Sequence, residues 1–175
     1  YKDVVIAYNV SDDYEKFLGV NGTEDWRVEN NTALRTLHDG HGFSDFIWFR
    51  KWHNPNDVTF TNNIFITRNP SMSVYGPTHD LPQDGASQKS HHNIYYCYNG
   101  AVNVGKPLGE GDLVADPMFM DLRNHDLRLR PGSPAINTGV DTAYAKDVAG
   151  IAITDKRDMG AHEYTTAPKT IALFN

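Results

Sequence analysis

The sequence predicts an all-β fold in which parallel strands stack as the coils of a short β-helix of about four coils. Three observations lead to this prediction: a short pattern that recurs in the first hundred residues, an alternation of apolar and polar residues within each copy, and many turn-forming residues. The chain has 175 residues, of which 39% are hydrophobic, with 14 Gly and 9 Pro. This is the size of one domain, and the composition argues against a disordered chain.

The recurring pattern has an acidic residue at its start and an asparagine six positions later. It occupies residues 3–10, 25–32 and 57–64, and a weaker copy, with Ser87 in the acidic position, ends at residues 92–94. The anchoring asparagines are Asn9, Asn31, Asn63 and Asn93, separated by 22, 32 and 30 residues. Two intervals therefore carry insertions of about ten residues, which repeat architectures place in loops.

Each copy alternates apolar and polar residues, as in Trp26 and Val28 against Arg27 and Glu29. This is the period of a half-buried strand, and it places Trp26 in the core. Stacked copies would align their asparagines at a bend, where each amide can bond to the amides above and below it. The runs at residues 16–20, 46–49 and 73–75 are further strand-like segments that would supply the other faces of each coil.

The last third of the chain lacks the recurring pattern and contains prolines and short motifs at residues 116–119, 126–139 and 157–164. This tail resembles the C-terminal end of bacterial right-handed parallel β-helix proteins of the pectate-lyase-like superfamily, many of which are secreted enzymes acting on polysaccharides. The resemblance implies right-handed coils over residues 1–115 and an irregular cap over residues 116–175 of the same domain. The cap would close the open end of the stack, because unpaired strand edges template aggregation.

The resemblance also implies structural roles for the charged residues of the tail. These residues are Asp116, Asp126, Arg157, Asp158, His162 and Glu163. The same fold supports lyases, hydrolases and plain binding surfaces, so the fold alone does not decide the function. We expect a secreted or cell-surface bacterial protein.

Composition excludes several classes of partner. The net charge of −6 and the scattered basic residues argue against nucleic acid, which requires clustered Lys and Arg. No apolar run approaches the roughly 18 residues that span a bilayer. The single cysteine, Cys97, excludes an internal disulfide and suits a buried apolar position. We expect a monomer.

Carbohydrate binding needs aromatic rings that stack on sugar rings and planar polar groups that pair with hydroxyls. The richest stretch is residues 48–53, and residues 75–80 would lie in the next coil. The expected contact residues are Trp48, Arg50, Trp52, His53, Tyr75 and His79, flanked by Arg27 and Glu29. The prediction is a non-catalytic module for a plant cell-wall polysaccharide, with xylan favoured, covalently linked to a glycoside hydrolase.

The alternative is the C-terminal part of a β-helix polysaccharide lyase or glycoside hydrolase. A lyase would need a base with a charge neutraliser, and a hydrolase would need two carboxyl groups. The candidates are Arg50, Lys51, His53, Arg68 and His79 for a lyase, and Glu29 with Asp45 or Asp80 for a hydrolase. Spacing in the sequence does not fix their geometry, so both readings stay open.

Metal binding has little support in the sequence. His91 and His92 are adjacent, and neighbours on a strand point to opposite faces, so we expect them not to share one ion. His38 and His41 are better spaced but lie in a turn-like segment. We expect no cofactor, and Ca²⁺ at Asp12 and Asp13 is the one metal left open.

Overall fold

The computed structural model describes residues 1–14, 16–20, 22–36, 45–49, 56–76 and 88–166. These residues form fourteen strands and one short 3₁₀ turn, Leu122–Asn124. The strands are β1 (Val5–Ala7), β2 (Val10–Asp12), β3 (Leu18–Val20), β4 (Thr23–Glu29), β5 (Thr32–Arg35), β6 (Asp45–Phe49), β7 (Asn56–Thr61), β8 (Ile64–Thr67), β9 (Ser73–Tyr75), β10 (Gln88–His91), β11 (Ile94–Cys97), β12 (Leu113–Val114), β13 (Phe119–Asp121) and β14 (Asp126–Leu129).

Three parallel sheets make up the body of the protein. The first sheet has the order β1-β4-β7-β10, the second has the order β12-β11-β8-β5-β2, and the third has the order β3-β6-β9. From β1 to β9, the chain visits the first, second and third sheets in rotation. Only β13 and β14 form an antiparallel pair among the named strands. The prediction of an all-β fold of parallel strands is therefore confirmed.

The recurring sequence pattern corresponds to neighbouring strands of the first sheet. Val5 lies opposite Arg27, Arg27 opposite Thr59, and Thr59 opposite Lys89. Copies 22 to 32 residues apart in sequence are thus one strand spacing apart in space, about 4.8 Å. Much of the sequence between these copies, residues 37–44, 50–55 and 77–87, lies outside the described residues.

The four anchoring asparagines form a column at the turn between the first and second sheets, as predicted. Asn31 donates its backbone N–H and its side-chain Nδ2 to Oδ1 of Asn63, at 3.0 and 2.9 Å. Asn9 makes the same pair of bonds to Asn31, and Asn63 makes it to Asn93.

A fifth residue, Asp112, completes the column. Asn93 donates its backbone N–H and Nδ2 to Oδ1 of Asp112, at 2.8 and 2.9 Å. The other oxygen of Asp112 accepts bonds from the Ser90 hydroxyl at 2.9 Å and the Gly109 N–H at 2.8 Å. An ionised carboxylate accepts hydrogen bonds and has no proton to donate, so the chain of amide donors ends at Asp112.

The residue before each column asparagine has a left-handed backbone. Tyr8, Asn30, Asn62 and His92 have φ angles of 53°, 51°, 56° and 55°. A single left-handed residue turns the chain sharply between the two sheets. Asn occupies two of these four positions, because it tolerates the left-handed conformation better than most residues do.

Aromatic rings from all three sheets fill the interior. The Phe60 and Tyr75 ring centroids are 5.2 Å apart, and Phe65 stacks on Tyr95 at 5.9 Å. Cys97 is buried, as expected. Trp26 is only partly buried against this cluster, and its Nε1 donates to the carbonyl of Tyr1 at 3.2 Å. The prediction that Trp26 is a core residue holds in part.

The C-terminal segment, residues 116–166, covers the outer face of the second sheet. Leu34, Ile64, Ile66 and Ile94 point outward from that sheet and form a second hydrophobic core with the segment. The segment contributes Phe119, Leu127, Leu129, Ala135 and Met159 to this core. Hydrogen bonds also attach it, including Gly160 N–H to the Asn62 carbonyl at 2.7 Å and Ala161 N–H to Thr32 Oγ1 at 2.9 Å.

The described part of this tail thus covers a face of the second sheet, and closure of the end of the stack, which the resemblance implied, stays a prediction. The second sheet is apolar on both faces, so its outer face needs a cover, and the tail runs along the side of the stack to supply it. The edge beside the last strands is covered by the segment before the tail. Val74 N–H donates to the Asn103 carbonyl at 2.9 Å, and His92 N–H donates to the Glu110 carbonyl at 2.9 Å.

The column predicts unequal costs for two equivalent substitutions. Asn63→Ala removes two bonds donated by Nδ2, to Asn93 and to the Val28 carbonyl, and leaves the buried backbone N–H of Asn31 without its acceptor. We expect a loss of about 3 kcal/mol in the free energy of unfolding. Asn9→Ala, at the exposed end of the column, should cost about 1 kcal/mol.

Urea denaturation of both variants measures this difference. Equal costs for Asn63→Ala and Asn9→Ala would contradict the role given to the buried part of the column.

Candidate functional site

A cleft of about 920 Å³ opens between the outer face of the second sheet and the C-terminal segment. We call it the C-terminal cleft. Its floor on the sheet side is formed by Thr36, Ile66, Arg68, Tyr96, Tyr98 and Asn99. Its wall is formed by Asp116, Pro117, Met118, Phe119, Asp121, Leu122, Arg123, His125 and Arg130. The volume lies within the range of ligand-binding clefts.

Strand register builds the floor of the cleft. Leu34, Ile66 and Tyr96 are opposite one another on β5, β8 and β11. Two residues further along these chain segments, the same side carries Thr36, Arg68 and Tyr98. The apolar core under the C-terminal segment thus gives way to polar and aromatic side chains, and the cleft opens where this change occurs.

Hydrogen bonds hold the acidic residues of the wall. Asp116 Oδ1 accepts the Met118 N–H at 2.8 Å. Asp121 Oδ1 accepts the N–H groups of Arg123 and Asn124 at the start of the 3₁₀ turn. The bond from the Asn124 side chain is the main reason that the pKa of Asp121 is lowered.

Tyr96 lies close to Asp116 at the floor of the cleft. Burial, together with the nearby Asp116 carboxylate, raises the pKa of the Tyr96 phenol. Its hydroxyl therefore remains protonated at neutral pH and can donate a hydrogen bond.

A clamp joins the wall of the cleft to strand β2. His125 Nε2 lies 2.9 Å from Oδ2 of Asp12. The same carboxylate accepts the Thr36 N–H at 2.9 Å and the Thr36 hydroxyl. Asp12, for which the sequence left Ca²⁺ open, thus has protein partners at both oxygens.

The cleft combines two kinds of group that recognise sugars. Tyr96 and Tyr98 supply aromatic rings, and Arg68, Arg123 and Arg130 supply planar guanidinium groups. The sequence indicated Arg68 as a lyase candidate, whereas Tyr96 and Tyr98 were not predicted. The signal was present in Ile94, Tyr96 and Tyr98, which alternate with a period of two and so share one face.

The predicted carbohydrate contacts that the structure describes lie on different sheets or in the interior. Arg50, Trp52, His53 and His79 lie outside the described residues. Trp48 is half-buried on β6 in the third sheet, with the Lys16 ammonium 4.7 Å from its ring centroid. The neighbouring residue on β3 is Gly19, where an added Cβ would meet nothing within 4 Å, so there is free space beside the indole.

The prediction for Tyr75 is wrong. Its exposed fraction is 2%, its ring packs against Phe60 and Tyr95 in the interior, and its hydroxyl lies 3.1 Å from that of Tyr95. The ring fills the space between the three sheets, so it has no free face for a sugar. Burial raises the pKa of this phenol well above its usual value.

Arg27 and Glu29 lie on the outer face of the first sheet, away from Trp48 on the third. Arg27 is exposed and lines a shallower groove of about 470 Å³ with Trp26, Thr59 and Lys89. Glu29 is buried, and its Oε1 lies 3.9 Å from Arg27 Nε. Of the two hydrolase pairs considered, Glu29 and Asp45 are separated, since Glu29 belongs to the first sheet and Asp45 to the third. Asp80, the other partner considered for Glu29, lies outside the described residues.

One row of the first sheet does align reactive groups. Glu29, Thr61 and His91 are opposite one another on β4, β7 and β10. Thr61 Oγ1 lies 3.1 Å from His91 Nε2. Burial, with a contribution from the His92 charge, lowers the pKa of His91, so the imidazole is neutral at physiological pH.

His91 and His92 do meet, contrary to expectation. Their Nδ1 atoms are 3.4 Å apart, because His92 has a φ of 55° and leaves the strand alternation that would separate the two rings. Within the described ranges, no group of three or more His, Cys, Asp or Glu side chains is placed to hold a metal ion.

The charged residues of the tail bond to the protein itself. Arg157 is buried and donates to the Tyr8 hydroxyl and to the carbonyls of Thr142 and Tyr144. Asp158 accepts the Asn137 N–H at 2.7 Å. This arrangement agrees with the structural roles that the resemblance implied.

Glu163 makes the stability of the protein depend on pH. Burial, with the nearby Asp158 charge, raises the pKa of Glu163 from 4.5 to about 7. The folded protein therefore holds this proton more tightly than the unfolded chain, and its contribution to stability is lost as pH rises from about 4.5 to 7. Because the side chain is partly exposed, we expect about 1–2 kcal/mol to be lost between pH 5 and pH 8.

Urea denaturation of Glu163→Gln at pH 5 and pH 8 tests this dependence. The variant should gain stability relative to the wild type at pH 8, because glutamine does not ionise. Asp141→Asn changes an exposed carboxylate of the same segment and is the matched control. The same stability difference for Glu163→Gln at both pH values would contradict the linkage.

Comparison with known proteins adds no assignment. No protein-family model matches the chain, and no curated protein matches its sequence significantly. In the part of the chain that the structure describes, no helix has the length and apolar character to cross a membrane.

Proposed function

We propose that this chain is a non-catalytic module that binds an extended plant cell-wall polysaccharide, xylan in particular. The observation that carries the proposal is the C-terminal cleft, in which Tyr96 and Tyr98 lie beside three arginines and two aspartates. Aromatic rings can stack on sugar rings, while guanidinium and carboxylate groups pair with hydroxyls.

We also propose that the parallel sheets form a right-handed parallel β-helix of about four coils. The rotation of successive strands through three sheets and the asparagine column both support it. Three complete coils would consist of β1–β3, β4–β6 and β7–β9. The fourth would contain β10 and β11, with Asn103 bridging to Ser73 in the third sheet.

Xylan fits the dimensions and chemistry of the cleft. A volume of about 920 Å³ accommodates a short run of sugar rings. Xylose has no exocyclic hydroxymethyl group, so its ring faces are open to the tyrosines. The resemblance of the tail to secreted polysaccharide-active proteins supports a bacterial, extracellular monomer joined to a catalytic domain.

Affinity gel electrophoresis in soluble xylan tests the proposed surface. Tyr98→Ala and Arg68→Ala should weaken the retardation of the protein about five- to tenfold each, since a ring or a guanidinium contributes about 1 kcal/mol. Lys89→Ala, which removes an exposed cation from the first sheet, is the matched control and should migrate like the wild type.

The same gels distinguish the cleft from the residues predicted from sequence. Retardation that survives Tyr98→Ala but falls in Trp48→Ala or Trp52→Ala would move the binding surface to the stretch at residues 48–53. No retardation in xylan, pectin or alginate would contradict polysaccharide binding.

The second candidate is the C-terminal part of a polysaccharide lyase or hydrolase. The row of Glu29, Thr61 and His91 favours it, since a neutral imidazole can act as a base and Glu29 places a carboxyl group in the same row.

Turnover assays separate the two candidates. Incubation with xylan, pectin and alginate should release neither reducing ends nor unsaturated uronate. Turnover that His91→Ala abolishes would replace the binding module with the enzyme.

A further inference from the structure

The contact between His91 and His92 has the dimensions of a metal-binding pair. Tetrahedral zinc holds imidazole nitrogens at 2.0–2.1 Å, which places two such nitrogens about 3.4 Å apart. The two Nδ1 atoms are 3.4 Å apart. The rings are nearly perpendicular, at 85°, with centroids 5.5 Å apart, so they meet at their edges and do not stack.

Thr61 orients one of the two rings for this role. The 3.1 Å contact between Thr61 Oγ1 and His91 Nε2 lets the ring donate its Nε2 proton to the hydroxyl. In that tautomer the Nδ1 of His91 carries a lone pair directed away from Thr61. Metal-binding histidines generally use their second nitrogen in this way, to donate to a fixed acceptor.

Carboxylates lie near the pair. Those of Asp112, Glu110 and Glu29 act on His91 in the sense that stabilises positive charge, while burial and the neighbouring His92 act more strongly in the opposite sense. Asp112 is buried and fixed by the asparagine column, and the Glu110 carbonyl accepts the His92 N–H at 2.9 Å. The backbone that places the two rings is thus held on both sides.

We propose that His91 and His92 bind one divalent transition-metal ion of the zinc type through their Nδ1 atoms. Imidazole nitrogens suit Zn²⁺, Ni²⁺ and Cu²⁺, whereas Ca²⁺ requires oxygen ligands. Two protein ligands leave two tetrahedral positions for water or for an incoming ligand. This site lies at the turn after the first sheet and is independent of the C-terminal cleft.

Isothermal titration of the full chain with ZnCl₂ tests the proposal. We expect one equivalent to bind, and His91→Gln and His92→Gln each to weaken the affinity at least tenfold. His162→Gln, in the C-terminal segment, is the matched control and should bind like the wild type. Circular dichroism of each variant establishes that it is folded.

Nitrogen NMR of the histidine rings supplies a second readout that does not depend on a variant. Zinc should shift the Nδ1 signals of both His91 and His92 together. Absence of zinc binding, or binding that leaves both Nδ1 signals unchanged, would overturn the proposal. In that case the 3.4 Å contact is an ordinary hydrogen bond from one ring to the other.

Discussion

The structure depends on a column of side-chain amides that runs along the turn between two parallel sheets. Each asparagine directs two N–H groups at the Oδ1 atom of the next residue, and the last pair reaches the Asp112 carboxylate. The backbone N–H groups at this turn require partners because they are buried. The column provides these partners, because each asparagine donates to the next residue along it toward Asp112. Neighbouring hydrogen bonds in such a chain strengthen one another.

This constraint also positions both proposed sites. Because the column fixes the register of β5, β8 and β11, Thr36, Arg68 and Tyr98 reach the cleft from neighbouring strands. The left-handed residue before each column asparagine has a separate effect. At His92 it turns the ring back toward His91, so a requirement of the turn produces the proposed metal-binding pair.

The repeat made much of the fold predictable from the sequence. The four column asparagines could be aligned because each follows a strand in which apolar and polar residues alternate. Once these strands are stacked in register, the asparagines form a column. The position of the tail could not be predicted from its motifs, which do not show which surface they cover. The missing clue was in β8, where Ile64, Phe65 and Ile66 form an apolar run, and such a strand needs cover on both faces.

The candidate site was harder to predict, because it joins segments that are distant in sequence. Arg68, Tyr98 and Arg123 meet only when the tail lies along the second sheet. Tyr75 was expected to face outward, since an aromatic residue beside a polar loop suits sugar binding equally well. Its burial is decided by the need to fill the interior between three sheets, which is a property of the whole stack.

Hydrogen exchange measured by NMR tests the central claim most directly. Our account predicts that the backbone N–H groups of Asn31, Asn63 and Asn93 exchange orders of magnitude more slowly than that of Asn99, which is exposed. It also predicts slowed exchange of their Nδ2 protons. Rates at Asn31, Asn63 and Asn93 similar to those of Asn99 would show that the column does not hold the sheets together.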